Sequence, residues 1–127
     1  VAGGSGYVRK QVTQLPSKMR FLAAQFNALL ADDLWIALGA DANGSAQLLH
    51  RGVAGLPGVD AGPTPAVNSM YPILPEAIVE PLQHWSFFWD WDKPRHQVRW
   101  MTAWDTSAHD IERFIAGVAD VLEPPQV

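Results

Sequence analysis

The chain has 127 residues, of which 48% are apolar and 17% charged, and its formal net charge is -4. This composition is typical of one globular domain, and the acidic balance argues against nucleic acid or an anionic membrane surface as a partner. The chain contains no cysteine, which excludes disulfide and thiolate chemistry within it. We find no apolar run near the roughly 18 residues of a membrane span and no signal-peptide core, so we expect a cytoplasmic protein without a membrane partner.

The first half of the chain is predicted to be helical. A short helix over Tyr7 to Gln14 is interrupted by Pro16, and Ser17 can cap the helix that follows. Asp32 and Asp33 predict the start of a longer helix, because carboxylates favour helix N-termini. Its apolar residues recur at steps of three and four until the stop signal GLPG: Trp35, Leu38, Ala42, Ala46, Leu49, Val53 and Leu56.

The second half alternates between short strands and helices. Strands are predicted over AVNSMYPIL (66–74), SFFWDW (86–91) and QVRWMTAW (97–104), and helices over 75–85 and 105–122. Pro72 requires an edge position or a bulge, because proline cannot donate to a strand ladder. Thr106 or Ser107 can cap the last helix, and Ser107 with Asp110 has the spacing of a capping box. The apolar stripe of this helix consists of Ile111, Phe114, Ile115, Val118 and Leu122.

This element order predicts an α+β fold. Two N-terminal helices are followed by a small, mostly antiparallel sheet of about three strands packed against helices. We interpret residues 1–127 as a single domain, with a helical part over 7–56, an α+β part over 57–122 and a tail over 123–127.

Few residues suggest chemistry. The four histidines do not have the spacing of metal ligands, and we expect no metal site. Phosphate-binding and nucleophile motifs are absent from the sequence. The aromatic cluster WSFFWDW could stack on a sugar or a base, but core and interface packing is the favoured interpretation.

Three cations are the remaining candidates. Arg99 alternates with the apolar residues Val98 and Trp100, so it belongs to the other face of its strand. There it is either a surface arginine or a fixed cation for a carboxylate, and the residues alone leave both interpretations open. Lys18 and Arg20 follow Pro16 near a helix start, where a phosphate can bind, although a solvated basic turn is the simpler interpretation.

The sequence resembles the C-terminal small domain of threonine aldolases and related β-eliminating lyases. The similarity runs from about Tyr7 to Leu122 through YVRKQVTQLPSKMRFLAAQFNALLADDLW, PGVD, VNSMYPILPEAIVEPL and VRWMTAWDTSAHDIERFIAGV. Its most specific pieces are QLPSKMRFLAAQ and VRWMTAWDTSAHDI.

The resemblance implies a fold type I enzyme that uses pyridoxal phosphate (PLP). Such enzymes join a large PLP-binding domain to a small α+β domain, form dimers or tetramers, and cleave a β-hydroxy-α-amino acid to glycine and an aldehyde. By the resemblance, Arg99 binds the carboxylate of the amino-acid substrate. Lys18 or Arg20 approaches the cofactor phosphate, often from a neighbouring subunit, and Asn68 is a further substrate-binding candidate.

The sequence also departs from the family pattern. The Schiff-base lysine of the family lies in a Thr-Lys-Asn-Gly type segment of the large domain, and Lys10, Lys18 and Lys93 do not occur in that context. We therefore expect no catalytic residue in this chain, no PLP bound to it alone and no activity without the large domain. Two alternatives stay open, namely a non-enzymatic binding or oligomerisation module and the small domain of another PLP lyase.

Overall fold

The computed structural model describes residues 2–12 and 18–123. The chain divides into two compact units, Val1–Ile36 and Ala37–Val127, which are described separately. Five α-helices of the described residues are α1 (Ser5–Gln11), α2 (Met19–Leu30), α3 (Leu34–Val53), α4 (Glu76–Trp85) and α5 (Ala108–Leu122). The strands are β1 (Ser69–Met70), β2 (Trp89–Asp92) and β3 (Gln97–Met101).

The first unit contains short helices, as predicted. α1 starts two residues before the predicted Tyr7, and the predicted interruption at Pro16 with the cap at Ser17 lies outside the described residues. α2 follows Lys18, which is in the left-handed conformation with φ 59°. Before α3, a 3-10 turn contains Asp32 and Asp33 at φ 50° and 57°. The predicted helix boundary at these two aspartates is therefore confirmed.

The helical stretch Met19–Val53 is long and apolar enough to cross a membrane, judged by length and composition alone. The expectation that no stretch would meet this criterion is wrong, because polar residues interrupt the apolar run without ending it. Asp32 and Asp33 lie near its middle at left-handed backbone positions.

The second unit contains the sheet. Its strands are antiparallel in the order β1-β3-β2, so β3 is central. Ser69 lies opposite Met101, and Trp89 lies opposite Arg99. The predicted antiparallel sheet of three strands is confirmed.

Each strand is shorter than, or offset from, its prediction. β1 was expected over 66–74 but has two residues, because Pro72 offers only its carbonyl, which accepts from the Val98 amide at 3.0 Å. β2 begins at Trp89 and not at Ser86. β3 ends at Met101 instead of continuing to 104, because the chain then turns, with the Ala103 amide donating to Thr106 Oγ1 at 2.8 Å.

Helices cover one face of the sheet. The predicted stripe of α3 is buried from Ala42 onward, whereas Trp35 at its start is 52% exposed. The α5 stripe is confirmed, since Ile111 and Val118 are buried and its other members pack against the core. The core side chains are Leu49, Val53, Ala61, Met70, Leu74, Ile78, Leu82, Phe88, Val98, Trp100, Ile111 and Val118. Burying each large aliphatic side chain contributes about 1.5–3 kcal/mol. The opposite face of β3 carries Arg99 and Met101.

Candidate functional site

The strand alternation of β3 positions Arg99. Its neighbours Val98 and Trp100 are buried in the core, so the Arg99 side chain belongs to the opposite, outer face of the sheet. The directly opposite residue on β2 is Trp89, and antiparallel partners of this kind share one face. The central strand thus fixes the backbone position from which the Arg99 side chain extends.

Arg99 is half-buried and has no polar partner among the described residues. Its Nε is buried and makes no hydrogen bond within the described residues. None of the carboxylates in ranges 2–12 and 18–123 forms a salt bridge with it. The nearby Asp90 accepts from Gln83 Nε2 at 3.1 Å. A buried donor without an acceptor costs about 1–3 kcal/mol, so this guanidinium is suited to an anion that supplies the missing acceptors.

One aromatic ring lies beside the guanidinium, and other rings of the same segment pair with each other. Arg99 Cζ lies 6.0 Å from the centroid of the Trp91 ring, and that ring lies 4.8 Å from the ring of Tyr71. Phe87 and Trp89 form an edge-to-face pair with centroids 5.1 Å apart. The core interpretation of the aromatic cluster therefore holds for Phe88, while Phe87, Trp89 and Trp91 are exposed.

Asn68 lies beside the end of β3. Its side-chain Nδ2 donates to the backbone carbonyl of Thr102 at 2.8 Å, and the backbone carbonyl of Asn68 accepts from the Thr102 amide at 3.0 Å. It lines an open groove of about 500 Å³ together with Leu38, Gly39, Ala42, Met101, Thr102, Ala103, Trp104 and Thr106. Arg99 does not line this groove. Met101, two residues along β3, connects the groove with the outer face of the sheet.

Lys18 and Arg20 belong to the first unit. Both are exposed, and Arg20 Cζ lies 4.9 Å from the centroid of the Phe21 ring. Neither forms a salt bridge with a described carboxylate. Their cationic groups are therefore available to an anion.

Two of the histidines contact oxygen atoms of neighbouring residues. His84 Nδ1 lies 3.0 Å from the Glu80 carbonyl, and His96 Nε2 lies 3.8 Å from a Glu76 carboxylate oxygen. Among the residues with a described position, no group of three or more His, Cys, Asp or Glu side chains could hold a metal ion.

The sequence analysis did not identify Trp91 as a neighbour of Arg99. A regular hairpin register would have suggested Trp89, which the alternation of WDW against VRW places opposite Arg99. Trp91 itself lies at a register shift in β2 between Asp90 and Asp92, and the sequence carries no signal for that shift.

Comparison with known proteins identifies relatives over most of the chain. No family model matches it. A low specificity L-threonine aldolase of a Pseudomonas species is 35% identical over 118 residues, which is 91% of this chain and 34% of that protein. The low specificity L-threonine aldolase of Pseudomonas aeruginosa is 39% identical over 109 residues, which is 84% of this chain and 30% of that protein. The chain spans about a third of the length of these relatives, and this partial coverage is consistent with a C-terminal piece of such a protein. The resemblance to the threonine aldolase family is thereby confirmed, and it extends over most of this chain.

Proposed function

We propose that this chain is the small C-terminal domain of a threonine-aldolase-like PLP-dependent lyase, and that Arg99 binds the carboxylate of its amino-acid substrate. The observation that carries the proposal is the buried Arg99 Nε, which has no acceptor among the described residues. The relatives support the reaction class, because both are named as threonine aldolases. The reaction would cleave a β-hydroxy-α-amino acid to glycine and an aldehyde.

In this proposal Arg99 binds and orients the substrate. Nε and a terminal nitrogen of a guanidinium can donate two parallel hydrogen bonds to one carboxylate. Two bonds fix the plane of the carboxylate, and the orientation of the attached Cα follows. Because β3 is the central strand, the position of that carboxylate is set by the sheet and not by a mobile loop.

The cofactor contacts in the proposal are Lys18 and Arg20. Both are exposed cations without a carboxylate partner in the described part of the chain, so their chemistry fits a phosphate. PLP, when bound, supplies the electron sink that allows a bond at Cα to break. To the cofactor, this chain would contribute contacts with the phosphate only. It would not supply the Schiff-base lysine, since Lys10, Lys18 and Lys93 do not match the family's Schiff-base segment.

Asn68 has a second, smaller role in the proposal. Its Nδ2 donates to the Thr102 carbonyl, which leaves the side-chain oxygen as the atom that can accept from a substrate.

The remaining catalytic residues, including the Schiff-base lysine, would belong to a large PLP-binding domain. The chain alone would be inactive, and the whole protein would be a cytoplasmic homo-oligomer.

The first experiment uses the product of the whole gene. With PLP added, we expect an absorption band near the edge of the visible range that is trapped by borohydride on a lysine outside these 127 residues. A gene product of only these residues that binds no PLP would refute the enzymatic proposal.

The second experiment tests Arg99 in that gene product. Arg99→Gln removes a charged hydrogen bond worth about 1.5–3 kcal/mol, so the KM for threonine should rise by about 10- to 100-fold while the PLP band remains. Arg113→Gln, at an exposed arginine of α5, is the matched control. An unchanged KM in Arg99→Gln would exclude the carboxylate role.

A non-enzymatic module is the second candidate. The observation that favours it is α2, which buries none of its side chains and exposes several large apolar residues. Such a surface suits self-association.

Another candidate is the small domain of a different PLP lyase, because a carboxylate-binding arginine serves many reactions of that class. Assays with several amino acids distinguish the two lyase candidates.

A further inference from the structure

We infer that Trp91 is a positioning residue for Arg99, and that its ring holds the guanidinium in the orientation that receives a carboxylate. This inference rests on the proposed role of Arg99. It adds a residue that the resemblance does not assign.

Trp91 lies at a bulge in β2. Asp90 lies opposite Val98 and Asp92 lies opposite Gln97, so two neighbouring residues of β3 face three residues of β2. Trp91 is the extra residue. A bulge re-aims the side chain of its extra residue and strengthens the local twist. Trp91 therefore lies at an irregular point of β2, where its ring approaches Arg99 and Tyr71.

The Trp91 ring also contacts the ring of Tyr71. The Tyr71 ring lies 4.8 Å away and is tilted by 58°, a favourable geometry for two aromatic rings. Tyr71 follows β1, on the far side of the central strand from β2. Its carbonyl accepts from Gln97 Nε2 of β3 at 2.9 Å. Trp91 of β2 is thus linked through Tyr71, which follows β1, to Gln97 of β3.

The Trp91 ring attracts the Arg99 guanidinium and also restricts the rotamers of the Arg99 side chain. Arg99 Cζ lies 6.0 Å from the Trp91 centroid, at the upper limit of a cation–π contact. An arginine side chain has many rotamers, and a ring beside the guanidinium reduces their number before a ligand arrives. Less side-chain freedom is then lost on binding, which strengthens the binding of the ligand.

The kinetic test compares variants of Trp91 in the PLP-loaded product of the whole gene. Trp91→Leu removes the aromatic face, and we expect the KM for threonine to rise about 2- to 5-fold with kcat within about twofold of wild type. Trp91→Phe keeps a ring and should restore most of the lost affinity. Phe87→Leu is the matched control, because Phe87 is an exposed aromatic residue of the same segment whose ring contact is with Trp89.

A spectroscopic measurement on the 127-residue chain does not depend on any variant's activity. The Arg99 side-chain protons should show an upfield ring-current shift in the wild type and in Trp91→Phe, and should lose it in Trp91→Leu. An unshifted wild-type signal would overturn the inference even if the Leu variant failed to fold.

The outcomes separate this inference from the proposed function. A raised KM in Arg99→Gln together with an unchanged KM in Trp91→Leu refutes the role of Trp91 and leaves Arg99 in place. A raised KM in both Trp91→Leu and Trp91→Phe, with altered oligomeric state, also refutes it, because the tryptophan would then serve an interface. An unchanged KM in Arg99→Gln removes the proposed function itself.

Discussion

Thr102 joins three elements through one hydroxyl group. Its Oγ1 donates to the Ala42 carbonyl of α3 at 2.7 Å and lies 3.4 Å from the Asn68 carbonyl. Thr102 is 5% exposed, so these atoms have little access to water. The residue anchors the end of β3, three positions from Arg99, against the helical layer of the second unit.

Thr102→Val should lower the free energy of unfolding by about 0.5–1.5 kcal/mol, because it removes the buried hydrogen bond to the Ala42 carbonyl. Urea unfolding measures the change. Thr64→Val, at an exposed position, is the control and should change stability by less than about 0.5 kcal/mol. Equal effects of the two variants would show that the hydroxyl contributes nothing specific.

At the residue scale, the sequence predicts which face of a strand a residue belongs to, because successive side chains of a strand point to opposite faces. Arg99 on the outer face follows from apolar Val98 and Trp100 beside it, and the burial of both confirms that placement. The use of Asn68 Nδ2 by Thr102 and the approach of Trp91 could not be predicted. Both depend on contacts between strands whose register no local pattern specifies.

At the element scale, α5 shows a complete N-terminal cap. Ser107 Oγ accepts from the Asp110 amide at 3.1 Å, and the Ser107 amide donates to Asp110 Oδ2 at 3.2 Å. The predicted capping box is confirmed, and of the two predicted caps Ser107 is the one that acts. The box fixes the start of the helix that packs Ile111 and Val118 into the core.

Ser107→Ala should destabilise the protein by about 1 kcal/mol, because it removes the acceptor for the Asp110 amide. Thermal unfolding measures the loss. Ser107→Thr keeps an N-cap hydroxyl and should retain most of the stability. A Thr variant as unstable as the Ala variant would contradict the capping role.

The same cap predicts a dependence on pH. Hydrogen bonds from the Ser107 side chain and then from its backbone amide lower the pKa of Asp110 below its ordinary value. A lowered pKa in the folded state means that the stabilisation is present above the unfolded pKa and is lost as the pH falls through the folded pKa. The stability difference between wild type and Asp110→Asn should therefore be full near pH 6 and shrink below about pH 4. A difference that is constant from pH 6 to pH 2 would refute this.

Gly117 marks a close approach between helices. A Cβ there would lie 2.6 Å from the Trp85 ring, which itself stacks on Phe114 with centroids 5.7 Å apart. Gly117→Ala should thus cost about 1–3 kcal/mol through overpacking, despite the better helix propensity of alanine. Gly44→Ala, at a helical glycine with open space around its Cβ position, is the control and should stabilise. Equal changes in the urea midpoint would contradict the packing argument.

The helices were more predictable than the strands for a physical reason. α4 and α5 carry local start signals and a 3.6-residue period, so their bounds follow within a few residues from the sequence. β1 has two residues because its continuation is held by Pro72 and by the bridges of Ile73 to Asp60 and Gln97. These partners are distant in the chain, and no local signal reports them.

At the scale of the whole molecule, the two units differ in burial. The described helices α1 and α2 contain no buried residue, whereas the second unit has a continuous core. The large apolar residues exposed on α2 are Met19, Phe21, Leu22, Phe26, Leu29 and Leu30. A surface of this kind is normally covered by another part of a protein or by a second chain.

The chain alone should therefore self-associate as its concentration rises. Replacing Phe21 and Phe26 together by glutamine should weaken the association, because burying one phenylalanine contributes about 1.5–3 kcal/mol. Sedimentation velocity measures the mass distribution. Phe87→Gln, at an exposed phenylalanine of the second unit, is the control. A wild-type chain that stays monomeric at every concentration would contradict the prediction.

The uneven burial also determines where a protease can act. Cleavage requires local opening of a helix, and an opening that exposes no buried side chain has a small free-energy cost. Trypsin should therefore cut after Lys18 and Arg20 well before it cuts after Arg113, which lies in α5 between the buried Ile111 and Val118. A brief digestion would remove the start of the chain and leave the sheet with its helices, so that Arg99 and its aromatic neighbours can be isolated on a smaller fragment.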